Sequence, residues 1–242
     1  MKPKPYLREV RLDRDKVPNF DSYPFDIPSV RRLRKIVFHP DVTFFIGENG
    51  AGKSTLLEAI AVSLGFGPEG GTRNTLFQTA DTVSPLHNYL TLIRGAREPR
   101  DFYFFRAESF YNVATYTDEV GYLKGYGGKS LHHRSHGEAF LSVLNEKLRG
   151  KGLYIFDEPE AALSPIRQMS ALASIHRLVE DGSQFIIATH SPILLAYPNG
   201  KIIRFDAHGV SETKYSETEH YSATRDFLNN HPKMLEELMR PD

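Results

Sequence analysis

Apolar residues are grouped along the chain in short runs that alternate with longer segments of helical periodicity. Four runs, at positions 42–46, 101–106, 153–156 and 183–188, consist mainly of aromatic and β-branched residues. Their length and content predict strands that are buried on both faces of a sheet. An amphipathic segment at 137–148 predicts a helix between two of them. Since strands that alternate with helices are typical of α/β folds, we predict a mainly parallel central sheet.

Other segments predict an antiparallel edge to this sheet. Residues 6–14 alternate apolar and charged positions, as an edge strand does. Residues 201–205 and 210–215 flank a turn and predict a hairpin. Further helices are expected at 55–61, 85–94, 109–118, 161–179, 192–197, 222–229 and 232–239. We expect one domain over residues 1–242, with a small helical and loop insertion at about 66–134.

Composition narrows the class of protein. The 242 residues contain 30 basic and 30 acidic side chains, a balance that does not indicate nucleic acid or an anionic membrane as an obligatory partner. The absence of cysteine excludes disulfides, iron–sulfur clusters and thiolate zinc sites. No apolar run approaches the roughly 18 residues of a spanning helix, and no apolar segment follows the basic start. We therefore expect a soluble, cytoplasmic protein without an integral membrane segment.

A glycine-rich loop joins the first buried strand to the helix that follows it. Its residues are Gly47, Glu48, Asn49, Gly50, Ala51, Gly52, Lys53, Ser54 and Thr55, which match the P-loop pattern G-x-x-x-x-G-K-[S/T] at every fixed position. Glycines allow several backbone N–H groups to point at one set of phosphate oxygens, and the helix start adds partial positive charge. The pattern predicts that Lys53 contacts the β- and γ-phosphates of ATP and that the Ser54 hydroxyl binds Mg²⁺.

Two later strands end in residues that suit phosphate chemistry. Asp157 and Glu158 follow the strand at 153–156, where P-loop enzymes place an acidic pair. Asp157 is expected to hold Mg²⁺, and Glu158 to orient or deprotonate the attacking water. His190 follows the strand at 183–188, where a neutral imidazole can hydrogen-bond a γ-phosphate. A weaker signal is Ser135 with Gly137, which open the helix at 137–148 as a potential anion site.

The order and spacing of these motifs resemble those of the ABC-type ATPase superfamily. Walker A corresponds to Gly47 to Thr55, a degenerate signature to Ser135 to Glu138, Walker B to 153–158, a D-loop to 162–165, and the switch histidine to His190. The segments GENGAGKST, FRAESF and SHGE also resemble the small stand-alone "predicted ATPase" group of bacteria, which is nearer to SMC-like ATPases than to transporter subunits. The resemblance implies a head-to-tail homodimer that sandwiches two ATP molecules, in which Ser135 and Gly137 bind the γ-phosphate of the partner's nucleotide and Ser164 bridges the sites.

Some family positions stay open. The usual signature is LSGGQ, and here Arg134, His136 and Glu138 replace its leucine, first glycine and glutamine. The Q-loop residue is either Glu108, which we favour, or Gln78, which lies in a second glycine-rich segment, at residues 69–83, that is expected to be a surface loop. Tyr23 and Phe25 are the candidates for stacking on adenine. A metal site at the histidines of residues 132–136 is disfavoured, because no carboxylate or thiolate lies at standard zinc spacing.

The leading functional prediction is ATP binding and hydrolysis to ADP and phosphate. One alternative is an ATP-binding subunit of an ABC transporter, although the segment 109–134 is short for the lobe that contacts a membrane partner. Another is an SMC-like ATP-dependent clamp on DNA, although no heptad insertion is present. The basic run at 31–34 is more typical of a solvated face than of a binding patch.

Overall fold

The structure of the protein is a computed structural model that describes residues 4–73, 83–119 and 130–240. The strands and helices, in chain order, are β1 Leu7–Leu12, α1 Pro28–Arg31, β2 Lys35–Val37, β3 Val42–Ile46, α2 Lys53–Ser63, β4 Leu90–Arg94, β5 Asp101–Arg106, α3 Phe110–Glu119, α4 His136–Ser142, β6 Gly152–Asp157, α5 Pro165–Glu180, β7 Gln184–Ala188, α6 Pro192–Leu195, β8 Lys201–Asp206, β9 Gly209–Thr213 and α7 Glu219–Leu238. Among the described residues, no helix is both long and apolar enough to cross a membrane.

The central sheet has six strands in the order β5-β6-β7-β3-β8-β9. All neighbouring pairs are parallel except β8 and β9, which form the antiparallel hairpin at one edge. The predicted α/β fold with a mainly parallel sheet and an antiparallel edge is therefore confirmed. The parallel arrangement brings the carboxyl ends of β3, β6 and β7 to one edge, because parallel strands all run in the same direction.

The sheet separates two apolar clusters. Phe44, Phe156 and Phe185 belong to the cluster beneath α4 and α5, whereas Phe45 and Ile155 belong to the cluster beneath α2 and the N-terminal strands. Consecutive residues of one strand point to opposite faces, so a strand covered on both faces must be apolar at nearly every position. This requirement explains why the four runs found in the sequence are continuous rather than alternating.

Two predictions for the N-terminal half were wrong. The segment predicted as a helix at 85–94 is a 3₁₀ turn at Pro85–Tyr89 followed by strand β4. The strand expected at an edge, β1, is the middle strand of a separate antiparallel sheet ordered β2-β1-β4. Val10 pairs with Ile36 on one side and Leu92 on the other. An alternating pattern predicts a strand but does not indicate whether that strand pairs on one side or on both. In 85–94, pairing of β4 with β1 outweighs the helix preference of the segment.

The predicted insertion at 66–134 contains helix α3, but it also supplies β4 to the small sheet and β5 to the central one. Residues 74–82 and 120–129 lie outside the described residues, so Gln78 and most of the segment 69–83 are not considered further. The helix predicted at 137–148 is α4 followed by a turn of π-helix at Val143–Lys147. The two terminal helices form α7, which has a kink at Asn230. That residues 1–242 form one domain stays a prediction.

Candidate nucleotide site

The P-loop has the strand–loop–helix geometry that its sequence predicts. Strand β3 ends at Ile46, and α2 begins at Lys53 with Gly52 in the N-cap position. Gly47, Gly50 and Gly52 have φ angles of 144°, 78° and 92°, which side chains disfavour. A Cβ on Gly47 would lie 2.2 Å from the carbonyl oxygen of Phe205, whereas one on Gly50 would meet nothing within 4 Å. Gly47 therefore permits close packing, and Gly50 leaves open space beside the loop.

Lys53 lies over this loop. Its side chain is buried, and Nζ donates hydrogen bonds to the carbonyl oxygens of Gly47 at 2.7 Å and Glu48 at 3.0 Å. Burial lowers the pKa of the ammonium, and the carboxylates of Glu158 and Asp157 act in the opposite direction. The ammonium is thus held at the mouth of the loop by backbone carbonyls, next to the helix N-terminus that attracts phosphate.

Ser54 and Asp157 provide neighbouring oxygen atoms at the carboxyl edge of the sheet. The Ser54 hydroxyl donates to Asp157 Oδ1 at 3.0 Å. Burial raises the pKa of Asp157 to about 6, although Arg106 and the bond from Ser54 oppose the rise. Mg²⁺ prefers hard oxygen ligands and is commonly bound by one or two protein groups together with water and substrate phosphates. The pair fits such a site, and no group of three metal-binding side chains occurs within the described parts of the chain.

Glu158 has an unusual backbone. Its φ and ψ angles are 50° and 51°, in the left-handed region, where a non-glycine residue is strained. The conformation is held from both sides, since Glu158 N donates to the Ala188 carbonyl and its own carbonyl accepts from Ala161 N. Its carboxylate is 44% exposed and lies 3.8 Å from His190 Nε2. The strain therefore places an accessible carboxylate beside the predicted switch histidine.

His190 is held through both its backbone and its ring. The backbone N–H donates to Glu160 Oε1 at 2.5 Å, and burial raises the pKa of this carboxyl group. The ring nitrogen Nδ1 lies 3.1 Å from Nε2 of His220, at the start of α7. Sequence reasoning missed Glu160 and His220. Glu160 is only two residues beyond Glu158, so its position could have suggested it, but no motif distinguishes His220.

Ser135 and Gly137, the residues of the degenerate signature, form no described hydrogen bond with the P-loop of their own chain. Ser135 is the N-cap of α4 in a capping box with Glu138, and its hydroxyl also accepts a bond from Arg167 at 3.0 Å. Ser135 is exposed, whereas Gly137 is buried. The side chains that hydrogen-bond Ser135 are those of Glu138 and Arg167, and neither belongs to the P-loop. The prediction that Ser135 and Gly137 contact a nucleotide on a second copy therefore stays a prediction.

The structure separates the candidates for the remaining family positions. Glu108 is 86% exposed, and its only described ion pair is with Arg106 at 3.5 Å. Arg106 is the last residue of β5, and its guanidinium forms an ion pair with Glu58 at 2.7 Å and lies 3.9 Å from Asp157 Oδ2. Sequence reasoning did not predict that Arg106 lies beside Asp157. Phe25 is buried, so it cannot present a ring face to adenine, whereas Tyr23 is 61% exposed. The rings of His132 and His136 pack against Tyr111.

Comparisons with known proteins match both motif regions. A family model described as "AAA domain" matches residues 16–100, and one described as "AAA domain, putative AbiEii toxin, Type IV TA system" matches residues 139–196. The energy-coupling factor transporter ATP-binding protein EcfA2 of Methanospirillum hungatei is 25% identical over an alignment of 230 residues. This alignment covers 82% of the chain and 55% of EcfA2. The chain thus spans about half the length of this curated relative.

Solved structures with a similar fold include an SMC head domain from Thermotoga maritima, with 14% identity, a TM-score of 0.46 and coverage of 88% of this chain and 99% of that one. Another is cbiO1 from Clostridium perfringens, with 19% identity, a TM-score of 0.47 and coverage of 84% and 89%. The family matches fall on the same segments that form the P-loop and the acidic pair. The two AAA-domain matches and the similarity to an ABC ATP-binding protein are consistent with an ABC-superfamily ATPase.

Proposed function

We propose that this protein binds Mg-ATP and hydrolyses it to ADP and phosphate. The observation that carries the proposal is the convergence of four predicted residues at one edge of the sheet. Ser54 bonds Asp157 at 3.0 Å, and Glu158 lies 3.8 Å from His190. These residues come from three separate segments of the sequence, and each has a side chain that suits a different part of phosphoryl transfer.

Each residue has a distinct role in this proposal. The glycine loop and the start of α2 bind the phosphates, and Lys53 places its charge on the β- and γ-phosphates. Ser54 and Asp157 would hold Mg²⁺, which when bound neutralises charge on the phosphate oxygens. Glu158 orients the attacking water and accepts its proton, and His190 donates a hydrogen bond to the γ-phosphate. Positioning and electrostatic stabilisation would then supply most of the rate.

Substitution Glu158→Gln tests the hydrolysis. The amide retains the shape of the side chain but cannot accept the proton, so we expect ATP binding to persist while turnover falls by about 10²- to 10⁴-fold. The matched control is Glu236→Gln, an identical change at an exposed position of α7, which should leave turnover unchanged. Wild-type turnover in Glu158→Gln would refute the assignment of the base.

We further propose that ATP joins two copies head to tail. The exposed position of Ser135, apart from the P-loop of its own chain, supports a contact with a nucleotide on the partner. Light scattering on Glu158→Gln should show a doubled mass with Mg-ATP, and Ser135→Arg in the same background should prevent it. A monomer with nucleotide bound would refute the homodimer and leave the ATP-binding proposal standing.

A transporter subunit is the second candidate, favoured by the similarity to EcfA2, whose name describes a transporter ATP-binding protein. In that case the chain should co-purify with a multi-span protein from membranes of its own cells. Recovery that depends on ATP would support this role, whereas a chain found wholly without such a partner would oppose it.

A nucleic-acid clamp is favoured by one other observation. Arg14, Arg31, Arg32 and Arg34 line a single open pocket, and Asp21 is the acidic partner of Arg31. Four phosphate contacts would reduce DNA affinity roughly 100-fold between 50 and 200 mM salt. The double substitution Arg32→Glu and Arg34→Glu should abolish this binding, whereas Arg149→Glu should not. No DNA binding at low salt would remove this candidate.

A further inference from the structure

Helix α7 begins with a histidine that contacts the proposed γ-phosphate sensor. Nε2 of His220 lies 3.1 Å from Nδ1 of His190, and the ring centroids are 5.2 Å apart. None of the sequence motifs and none of the matched family segments includes His220. The contact joins the end of β7 to the C-terminal helix, thirty positions later in the chain.

The start of α7 is anchored, so this contact is not that of a loose tail. Thr218, the N-cap, is buried, and its hydroxyl donates to the carbonyl of Tyr215 and accepts from Tyr221 N. Tyr215 in turn donates its hydroxyl proton to the carbonyl of Pro192 at 3.0 Å. Pro192 is two residues after His190, so the anchor of α7 and the switch histidine belong to one packed unit.

When both imidazoles are neutral, their contact requires one proton between the two facing nitrogens. One of the facing nitrogens must carry hydrogen, and the other must accept it. If His220 donates, Nδ1 of His190 is the acceptor and the proton of the His190 ring resides on Nε2. If His190 donates instead, its Nε2 is unprotonated and carries a lone pair.

The surroundings favour the first arrangement. His190 Nε2 is buried without a described hydrogen-bond partner and faces the Glu158 carboxylate at 3.8 Å. A carboxylate and a γ-phosphate oxygen are both acceptors, so a lone pair at Nε2 would repel either of them. Burial is the main cause that lowers the pKa of His220, which favours the neutral form of this ring. A neutral His220 can donate from Nε2 while its Nδ1 remains unprotonated.

We propose that His220 is a positioning residue that holds His190 in the tautomer protonated at Nε2, which presents a hydrogen-bond donor to the γ-phosphate. The inference rests on the proposed function of His190. It extends that function, because the nucleotide sensor then depends on a residue of the C-terminal helix. Partners that orient a functional histidine from behind typically contribute 10- to 100-fold to its performance in metal sites, and we expect a similar effect here.

The first test is nitrogen-15 NMR of the imidazole rings in the full chain without nucleotide, with His190 assigned through His190→Gln. We expect a protonated Nε2 and an unprotonated Nδ1 in the wild type. In His220→Phe, which keeps a ring but removes the donor, the His190 signals should shift towards a mixture of tautomers. His231→Phe, on the same helix and exposed, is the matched control and should leave them unchanged.

The second test is kinetic. His220→Phe should reduce kcat by 10- to 100-fold with less than a threefold change in KM for ATP, and His220→Gln, whose amide can donate, should recover most of the loss. A wild-type His190 protonated at Nδ1, or equal activity of the Phe and Gln variants, would overturn the proposal. If the wild type hydrolyses no ATP, the proposed function fails by itself, while the NMR result still decides the tautomer.

Discussion

The strained backbone of Glu158 allows a quantitative test that separates stability from catalysis. At an ordinary position, replacing alanine by glycine destabilises a protein by about 0.5–1 kcal/mol, because glycine loses more conformational freedom on folding. At the φ of 50° and ψ of 51° of Glu158, glycine should instead be the more stable of the two residues. A left-handed conformation costs a residue with a Cβ about 1–2 kcal/mol and costs glycine almost nothing. Subtracting the entropic term leaves Glu158→Gly more stable than Glu158→Ala by about 0.5–1 kcal/mol.

Both variants lack the carboxylate, and both retain the backbone bonds of Glu158 to Ala188 and Ala161. The comparison therefore isolates the backbone from the side chain. For a chain of this size the difference corresponds to roughly 1–4 °C in Tm, and to a higher urea midpoint at constant m value. Both variants should lose turnover by about 10²- to 10⁴-fold. The same pair at Glu236, inside α7, is the control and should show alanine as the more stable residue.

If Glu158→Gly proved less stable than Glu158→Ala by the ordinary amount, the left-handed conformation would carry no cost and the reasoning would be refuted. The expected result would mean that the protein tolerates strain at this position in order to place a carboxylate next to His190. Such strain is common at functional sites, where the surrounding structure holds a residue in a sparsely populated conformation.

Three further predictions follow from the same geometry. Gly47→Ala should lower the free energy of unfolding by about 2 kcal/mol, because its Cβ would lie 2.2 Å from the Phe205 carbonyl oxygen. Gly50→Ala has open space around its Cβ and should lower it by only about 1 kcal/mol, the cost of the left-handed backbone; equal shifts in urea midpoint would contradict this difference. Arg106→Leu should destabilise by about 3 kcal/mol, since it leaves the largely buried carboxylate of Glu58 without its partner, and the double change with Glu58→Leu should recover part of the loss in a denaturation cycle. The lowered pKa of His220 means that the unfolded chain binds more protons at this residue below about pH 6.5, so its contribution to stability is present above that pH and decreases as the pH falls. His220→Phe should make the melting temperature less dependent on pH between 5 and 7, and an unchanged profile would count against a neutral, half-buried His220.

The candidate site could be predicted largely from local sequence. The P-loop needs only a strand, a glycine loop and a helix in succession, and all of its determinants lie within consecutive residues. Asp157, Glu158 and His190 could be predicted because each lies at the end of a buried strand or within two residues of it, and parallel strands bring such ends to one edge. The same reasoning failed at 85–94, where pairing with β1 decides the structure, and at β1 itself, whose pattern does not reveal its two neighbours.

The sequence by itself therefore determined the α/β fold, the strand–loop–helix of the P-loop and the acidic and histidine positions at the strand ends, because each depends on chemistry within a few consecutive residues. Only the tertiary structure decided that Arg106 lies beside Asp157, that Glu160 holds the backbone of His190, and that His220 contacts its ring. Two of these contacts join residues thirty positions apart, and the third joins the ends of neighbouring strands β5 and β6. Contacts of this kind arise from packing between elements, which leaves no periodic or motif signal along the chain.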